Sequence, residues 1–450
     1  MGVDLESVES VREKVKSACR DAAADEPGEL KMWDRLSFVV RQLRERLWVK
    51  PLFVCVLSIG AVFLANLVDM VELGWLLPKI TQESIEALLK IMASSMLMMA
   101  TFAVASMVAA YASASSSATP RSFPLMIADD VSQNALSVFV GAFIYSVVAL
   151  VALMNGFYVG RGSQFILFSL TIAVFVIIII TFIRWVDNIA RLGRLGHTIT
   201  KVEQAAAKAI RKRQSVPRLG GVAAFSPPDG SRAVFGAIGY VQHVDAAALQ
   251  KRAAESQLRI VVAALPGTFC APNRPVAWVM REEPGNVSDE DVEAIAATFV
   301  IGDSRSFEQD PRFGLLVLSE IASRALSPAV NDPGTAIGVT GTLVRLFVLW
   351  NECGKADDDS TVLFDRVAVP ELSLADMFDD AFTGIARDGA GNVEVVVRLL
   401  KALESLALVG DAAMRDSALR HARLAVVRAV NAMQISDDLR VVREVARFAA

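Results

Sequence analysis

Between residues 165 and 183 the chain presents apolar side chains on every side of any helix it can form, with Val174, Val176, Ile177, Ile178, Ile179 and Ile180 almost unbroken. A core helix of a soluble protein keeps one polar face, so this stretch is expected to lie in lipid. Crossing about 30 Å of hydrocarbon takes roughly 20 mainly apolar residues. Residues 51–70, 87–112 and 135–158 meet the same requirement. The expected fold is a multi-pass α-helical membrane protein with four transmembrane helices. Composition agrees: 54% of the chain is apolar and its mean hydropathy is +0.44, against about 45–50% apolar in a soluble domain even with glycine counted.

Charge sets the expected orientation. Lys31, Arg35, Arg41, Arg44, Arg46 and Lys50 precede the first span, Arg121 lies between the second and third, and Arg184, Arg191, Arg194, Lys201, Lys208, Arg211, Lys212 and Arg213 follow the fourth. The opposite loops hold only Lys79, Lys90 and Arg161. By the positive-inside rule both termini are expected to be cytoplasmic. A net charge of −4, from 45 basic and 49 acidic residues, gives no field that would recruit nucleic acid. The start of the chain lacks the apolar core of a signal peptide and the hydroxyl residue of a myristoylation signal. Residues 33–48 mix apolar and basic side chains between two tryptophans, which suits a helix at the headgroup surface or one folded on the cytoplasmic domain. Cys19, Cys55, Cys270 and Cys353 form no C-x-x-C pair, and His197, His243 and His421 lie far apart. No disulfide framework, metal site or cofactor is expected.

Ionisable residues within membrane spans are functional candidates because burying a charge there costs at least about 2.5 kcal/mol. Here Asp69 and Glu72 stand at the outer end of the first span and Arg184 at the inner end of the fourth, all within reach of the interface. Their absence from the span centres argues against a proton-coupled pump. In the second span Ser95, Ser106, Ala110, Ser113 and Ser117 fall near one stripe. Small residues let helices pack closely, and a polar stripe can also line a water-filled path in an oligomer. The following loop, residues 115–124, contains Pro120 and Pro124 and is expected to form a turn or hinge, with Arg121 anchoring at phosphate headgroups.

Beyond the spans, residues 187–222 read as a basic helix and linker, 223–285 as a small β-barrel or sandwich with one inserted helix, and 286–450 as a helical bundle. With residues 1–49 as a leader and 50–186 as the membrane domain, the chain has a cytoplasmic α+β domain beneath its spans. Strands are expected at 233–241, 258–263 and 276–280, and helices at 246–255, 288–298, 311–326, 333–350, 392–408, 411–433 and 437–448.

The run from Arg305 to Gly314, Arg-Ser-Phe-Glu-Gln-Asp-Pro-Arg-Phe-Gly, and the run from Arg324 to Ala336, Arg-Ala-Leu-Ser-Pro-Ala-Val-Asn-Asp-Pro-Gly-Thr-Ala, carry a resemblance. With Pro120-Arg121, Gly239-Tyr240-Val241, Pro266-Gly267-Thr268-Phe269 and the four spans, they resemble the bacterial membrane-protein family catalogued as domain of unknown function 2254. The resemblance covers most of the chain, excluding the first 30 residues and those beyond about 350. Ser306 and Gly334 depart from it, standing where a threonine and a bulkier residue would be expected. It implies a four-span protein with a cytoplasmic domain and no established activity.

Asp310-Pro311 and Asp332-Pro333 both read as helix starts, the acid capping and proline in the first turn. If the two starts meet, Glu308, Gln309, Asp310, Asn331 and Asp332 gather with Arg305 and Arg324 into a cluster able to hold a hard cation or polar ligand. Alternatively they are caps and salt bridges of a helical hairpin. Three functions follow: an oligomeric channel with a regulatory cytoplasmic domain, a membrane-anchored sensor or scaffold acting through the cluster, and, disfavoured by the lack of an activated nucleophile, a hydrolase. The lipid bilayer and further copies of the chain are the expected partners.

Overall fold

The computed structural model describes residues 52, 53, 55, 56, 59, 60, 78, 80–117, 119–127, 130–158, 160–189, 194–283, 285–353 and 362–449. Its contacts separate Leu36–Thr198 from a second unit containing Ile199–Ala450. The expected first span lies largely outside the described residues, as do Asp69, Glu72 and the amphipathic stretch at 33–48.

In the first unit α1 (Gln82–Ser117) is followed by a 3-10 turn at Pro120–Ser122, α2 (Phe123–Ile127), α3 (Asp130–Met154) and α4 (Arg161–Ile189). The proline-bearing loop is thus an ordered turn, with the Thr119 side chain accepting from the Arg121 N–H at 3.3 Å. At 1.5 Å per residue each of the three long helices exceeds the roughly 30 Å of a hydrocarbon core. Ile85, Leu89, Met92, Met96, Ala100 and Ala103 of α1 recur every three or four residues and pack on Ala135, Phe139, Ala142, Tyr145 and Ala149 of α3. Trp185, near the C-terminal end of α4, lies edge-on to Phe102 and Phe139, at 5.8 and 6.0 Å between ring centroids. The remaining faces expose Ile91, Met98, Phe102, Val108, Phe175, Val176 and Ile177. That much apolar surface belongs against lipid.

Four helices among the described residues are long and apolar enough to cross a membrane: Gln82–Ser113, Val131–Met154, Arg161–Ile189 and Pro333–Glu352. The first three are the expected second, third and fourth spans. The last lies in the second unit, where its apolar residues fill the core described below. Buried polar groups of the membrane unit are hydroxyls and amides, with no buried ionised side chain among the described residues. Tyr145 and Thr171 join α3 to α4 through their hydroxyls at 2.9 Å.

The second unit begins within α5 (Leu195–Ser215). The strands that follow are β1 (Gly221–Ala223), β2 (Arg232–Val234), β3 (Gly239–Val244), β4 (Leu258–Val262), β5 (Phe269–Cys270), β6 (Ala277–Arg281), β7 (Phe299–Gly302) and β8 (Phe364–Val369). α6 (Ala246–Glu255) lies between β3 and β4, and α7 (Asp289–Ala296) between β6 and β7. One sheet has the order β1-β8-β4-β6-β2 and the other β5-β3-β7. β8 runs parallel to both β1 and β4; the other pairs are antiparallel. Val241 and Val244 of the small sheet, Ile260, Val262, Val279 and Val367 of the large one, and Leu249 and Ile295 of the two helices share one core. β7 and β8 come from residues 286–450, the stretch expected to be a helical bundle, so the sheets are completed from beyond the expected β-rich segment 223–285.

The helical bundle comprises α8 (Pro311–Ala325), α9 (Pro333–Cys353), α10 (Leu374–Asp388), α11 (Val393–Val409), α12 (Ala412–Ala432) and α13 (Ser436–Val445). Phe347 of α9 meets Phe378 and Phe382 of α10 at 4.3 and 5.5 Å, and His421 of α12 lies 5.8 Å from Phe378. This aromatic core accounts for the apolar character of α9, which packs among the other helices of the bundle. α10, opened by the Ser373 cap, is a helix that was not expected.

Candidate functional site

Asp310 stands at the point where β7 gives way to α8, and its carboxylate is only 1% exposed. Oδ1 accepts from the backbone N–H groups of Arg312 and Phe313 at 3.1 and 3.2 Å, capping α8. Oδ2 accepts from Arg305 at 2.7 Å, and that guanidinium lies 5.2 Å from the centre of the Phe313 ring. Arg213, near the end of α5, is 7% exposed and donates through Nη2 to the Gln309 carbonyl at 3.1 Å. Its Nη1 is buried without a hydrogen-bond partner.

Three of the sequence runs that carried the family resemblance, at 239–241, 266–269 and 305–314, converge on this point. The Gly267 N–H donates to the Val241 carbonyl at 2.8 Å and the Val241 N–H to the Thr268 carbonyl at 2.9 Å. Tyr240 and Phe269 meet edge-on at 5.0 Å. Gln309 accepts from the Val244 N–H at 3.2 Å. Gly267 has φ +94°, and a Cβ there would stand 2.7 Å from Asp310 Cγ and 3.0 Å from an Arg305 Nη. Only glycine combines that backbone conformation with so close an approach. α5 approaches α8 where a Cβ on Gly314 would come 3.0 Å from Ala206 Cα, so glycine is needed there for space.

Burial pushes the Asp310 carboxyl above the usual carboxylate range, opposed by the Arg305 guanidinium. Burial also pushes Arg213 down to about 10, opposed by the nearby Asp310 charge. Arg312, at the start of α8, reaches outward to Asp380 at 2.7 Å and Asp376 at 2.8 Å on α10. The cluster thus ties α5, the β3 region and the bundle to one capped helix start.

The second expected helix start does not join it. α8 contains 15 residues, so its ends lie roughly 22 Å apart at 1.5 Å per residue. Asn331 and Asp332 follow its C-terminal end, while Asp310 is at its N-terminal end. Asn331 adopts φ +50°, a left-handed conformation that asparagine tolerates, and donates its N–H to the Ser327 carbonyl at 2.8 Å. Asp332 caps α9 by accepting from the Thr335 N–H at 3.1 Å and the Thr335 hydroxyl at 2.6 Å. The hydroxyl above all holds its carboxyl below the usual range. Arg324 is exposed and Glu308 half-buried. The expected seven-residue cluster is therefore two sites, one around Arg305, Gln309 and Asp310, and one a helical turn. No group of three or more potential metal ligands occurs among the described residues.

On α1 the seam against α3 is lined by methionine and alanine, and the expected small-residue stripe flanks it. Ser95, Ser106 and Ala110 are half-buried and Ser113 is exposed. The Ser95 hydroxyl donates to its own helix at the Ile91 carbonyl, 2.6 Å away. Ser117 ends the helix. Arg121 and Arg184 are exposed at their expected positions beside the turn and near the end of α4. Arg213, Arg312, Asp376 and Asp380 of the polar network, and Gly267 packed against it, were not selected by sequence reasoning. Gly267 stood in a quoted run, Arg213 only in a count of flanking charges, and the two aspartates on a helix without an expected boundary.

Spans, sheets and bundle together define a multi-pass membrane protein with an α+β domain outside the bilayer. The family described as predicted membrane protein, domain of unknown function 2254, matches residues 44–405, and the chain belongs to it. Uncharacterised proteins of Mycobacterium bovis and of two strains of Mycobacterium tuberculosis are each 31% identical over 176 residues, 38% of this chain and 33% of theirs. The matched segment spans about a third of the length of these curated relatives. No solved structure matches the chain.

Proposed function

We propose that the protein is a self-associating permeation protein of the bacterial inner membrane, with both termini and the α+β domain in the cytoplasm. The observation that carries this reading is the small-residue flank of α1. Ser95, Ser106 and Ser113 stand outside the seam that α1 forms with α3, while Ala110 on the same flank packs on Met126. Small side chains allow close approach of a second helix, and hydroxyls suit the wall of a hydrated path. α5 follows the last span in the chain and is anchored through Arg213 beside Asp310. It is the element through which the α+β domain would regulate the spans.

Liposomes containing the purified protein test the reading through dye-reported ion flux. Flux that falls when Ser106 is replaced by leucine supports it; liposomes as tight as protein-free controls overturn it. A sensor or scaffold is the second reading, favoured by a cleft of about 360 Å³ lined by Thr268, Phe269, Cys270, Arg274, Pro275 and Trp278. A ligand-dependent rise in thermal stability in the absence of flux would select it. Neither reading assigns a catalytic step, and turnover of a phosphoester or amide by the purified chain would contradict both.

A further inference from the structure

α5 has two unlike faces. Val202, Ala206, Ala209, Ile210 and Arg213 are buried. At about 100° per residue, Lys201, Gln204, Lys208, Arg211 and Lys212 fall within an arc of about 100° on the other side. Gln204, Lys208 and Lys212 are exposed, and Lys201 and Arg211 partly so. Glu203, the helix's one acidic residue, is held by Arg345 at 2.7 and 2.8 Å. Lys208 and Arg211 enter no ion pair among the described residues. This basic face begins shortly after the last span, since α4 ends at Ile189 and α5 starts at Leu195.

We propose that this face of α5 binds the headgroups of anionic phospholipid. Clustered lysine and arginine just beyond a span are attracted to an anionic leaflet, and the attraction decays within a Debye length. The buried face keeps the helix fixed to the α+β domain, so its charges are presented together rather than on a flexible tail. Phosphate groups of a lipid surface fit an extended row of cations better than a single soluble anion does, because successive charges along the helix each meet a separate headgroup. The proposal is independent of whether the spans conduct.

The test is native mass spectrometry of the full chain released from micelles containing equal amounts of phosphatidylglycerol and phosphatidylcholine. Phosphatidylglycerol is expected to be retained preferentially. The double variant Lys208→Gln/Arg211→Gln is expected to weaken that retention by about 5-fold per neutralised charge. The control Lys251→Gln/Arg281→Gln, which removes the same charge from the sheet region, is expected to leave it unchanged. Circular dichroism of each variant checks that it is folded. Equal retention of both lipids, equal loss in both double variants, or displacement of the lipid by free glycerol phosphate at comparable concentration would overturn the proposal.

Discussion

Replacing Asp310 by alanine separates a buried ionic centre from an ordinary helix cap. The substitution removes the acceptor for two backbone N–H groups at the start of α8, which costs about 1 kcal/mol. It also leaves Arg305, whose side chain is 14% exposed, without its carboxylate, and deprives Arg213 of its neighbouring negative charge. Removing one member of a buried pair costs about 3–5 kcal/mol, so the sum is about 4–6 kcal/mol. For a unit of this size each kcal/mol moves the midpoint by about 2–4 °C, giving a fall of roughly 10–20 °C. Asp332→Ala removes a cap whose carboxylate accepts from Thr335 and has no guanidinium partner among the described residues, with an expected loss of about 1 kcal/mol. Asp310→Asn, which can still cap, is expected to recover only that first kcal/mol. Thermal unfolding of the full chain in detergent, followed by near-ultraviolet circular dichroism, compares the three. If Asp310→Ala and Asp332→Ala shift the midpoint equally, the ionic centre is not the tie that its geometry implies.

The same centre predicts an asymmetry between its arginines. Arg213→Met loses one hydrogen bond but relieves a guanidinium with an unpartnered Nη1, so stability in the same assay should change by less than about 1 kcal/mol, whereas Arg305→Met should cost about 3 kcal/mol or more. Gly267→Ala places a methyl against Asp310 at φ +94° and should destabilise by at least about 1–2 kcal/mol from the backbone conformation alone, measured as a lower unfolding midpoint. Burial, aided by Arg420 and opposed by Asp379, pushes His421 down to about 4. Because the unfolded chain takes up the proton first, the His421 contribution to stability should fall as pH drops below about 6.5 and level off below about 4, by about 3 kcal/mol in all. Unfolding midpoints across that range should be flatter in His421→Gln. Tyr145→Phe, which deletes the hydroxyl contact with Thr171 inside the membrane unit, should cost only about 0.6 kcal/mol, read from helix unfolding in mixed micelles.

Continuous apolar stretches and capping residues were the most legible parts of the chain. Residues 87–112, 135–158 and 165–183 each fall within or largely overlap a long helix, because a period-free apolar run has few alternatives to a lipid-facing helix. Asp245, Ser288, Asp310 and Asp411 each cap a helix close to its expected start. β8 was missed because its strand partners β1 and β4 lie more than 100 residues away in sequence, and no local turn signal announces a parallel pairing. At the site, Asp310 was legible from its proline and its neighbouring arginine. The split from Asp332 was not, since two identical cap motifs give no sign that the helix between them holds them at opposite ends. Arg213 was hidden by its company: among flanking lysines and arginines, composition cannot distinguish the one side chain that turns into the domain.

Single-particle imaging of the purified protein in lipid nanodiscs tests the central claim most directly. The account predicts a symmetric ring of several copies in which the Ser95, Ser106 and Ser113 face of α1 borders an opening on the axis. A monomer, or an assembly with that face turned to lipid and no axial opening, would contradict it.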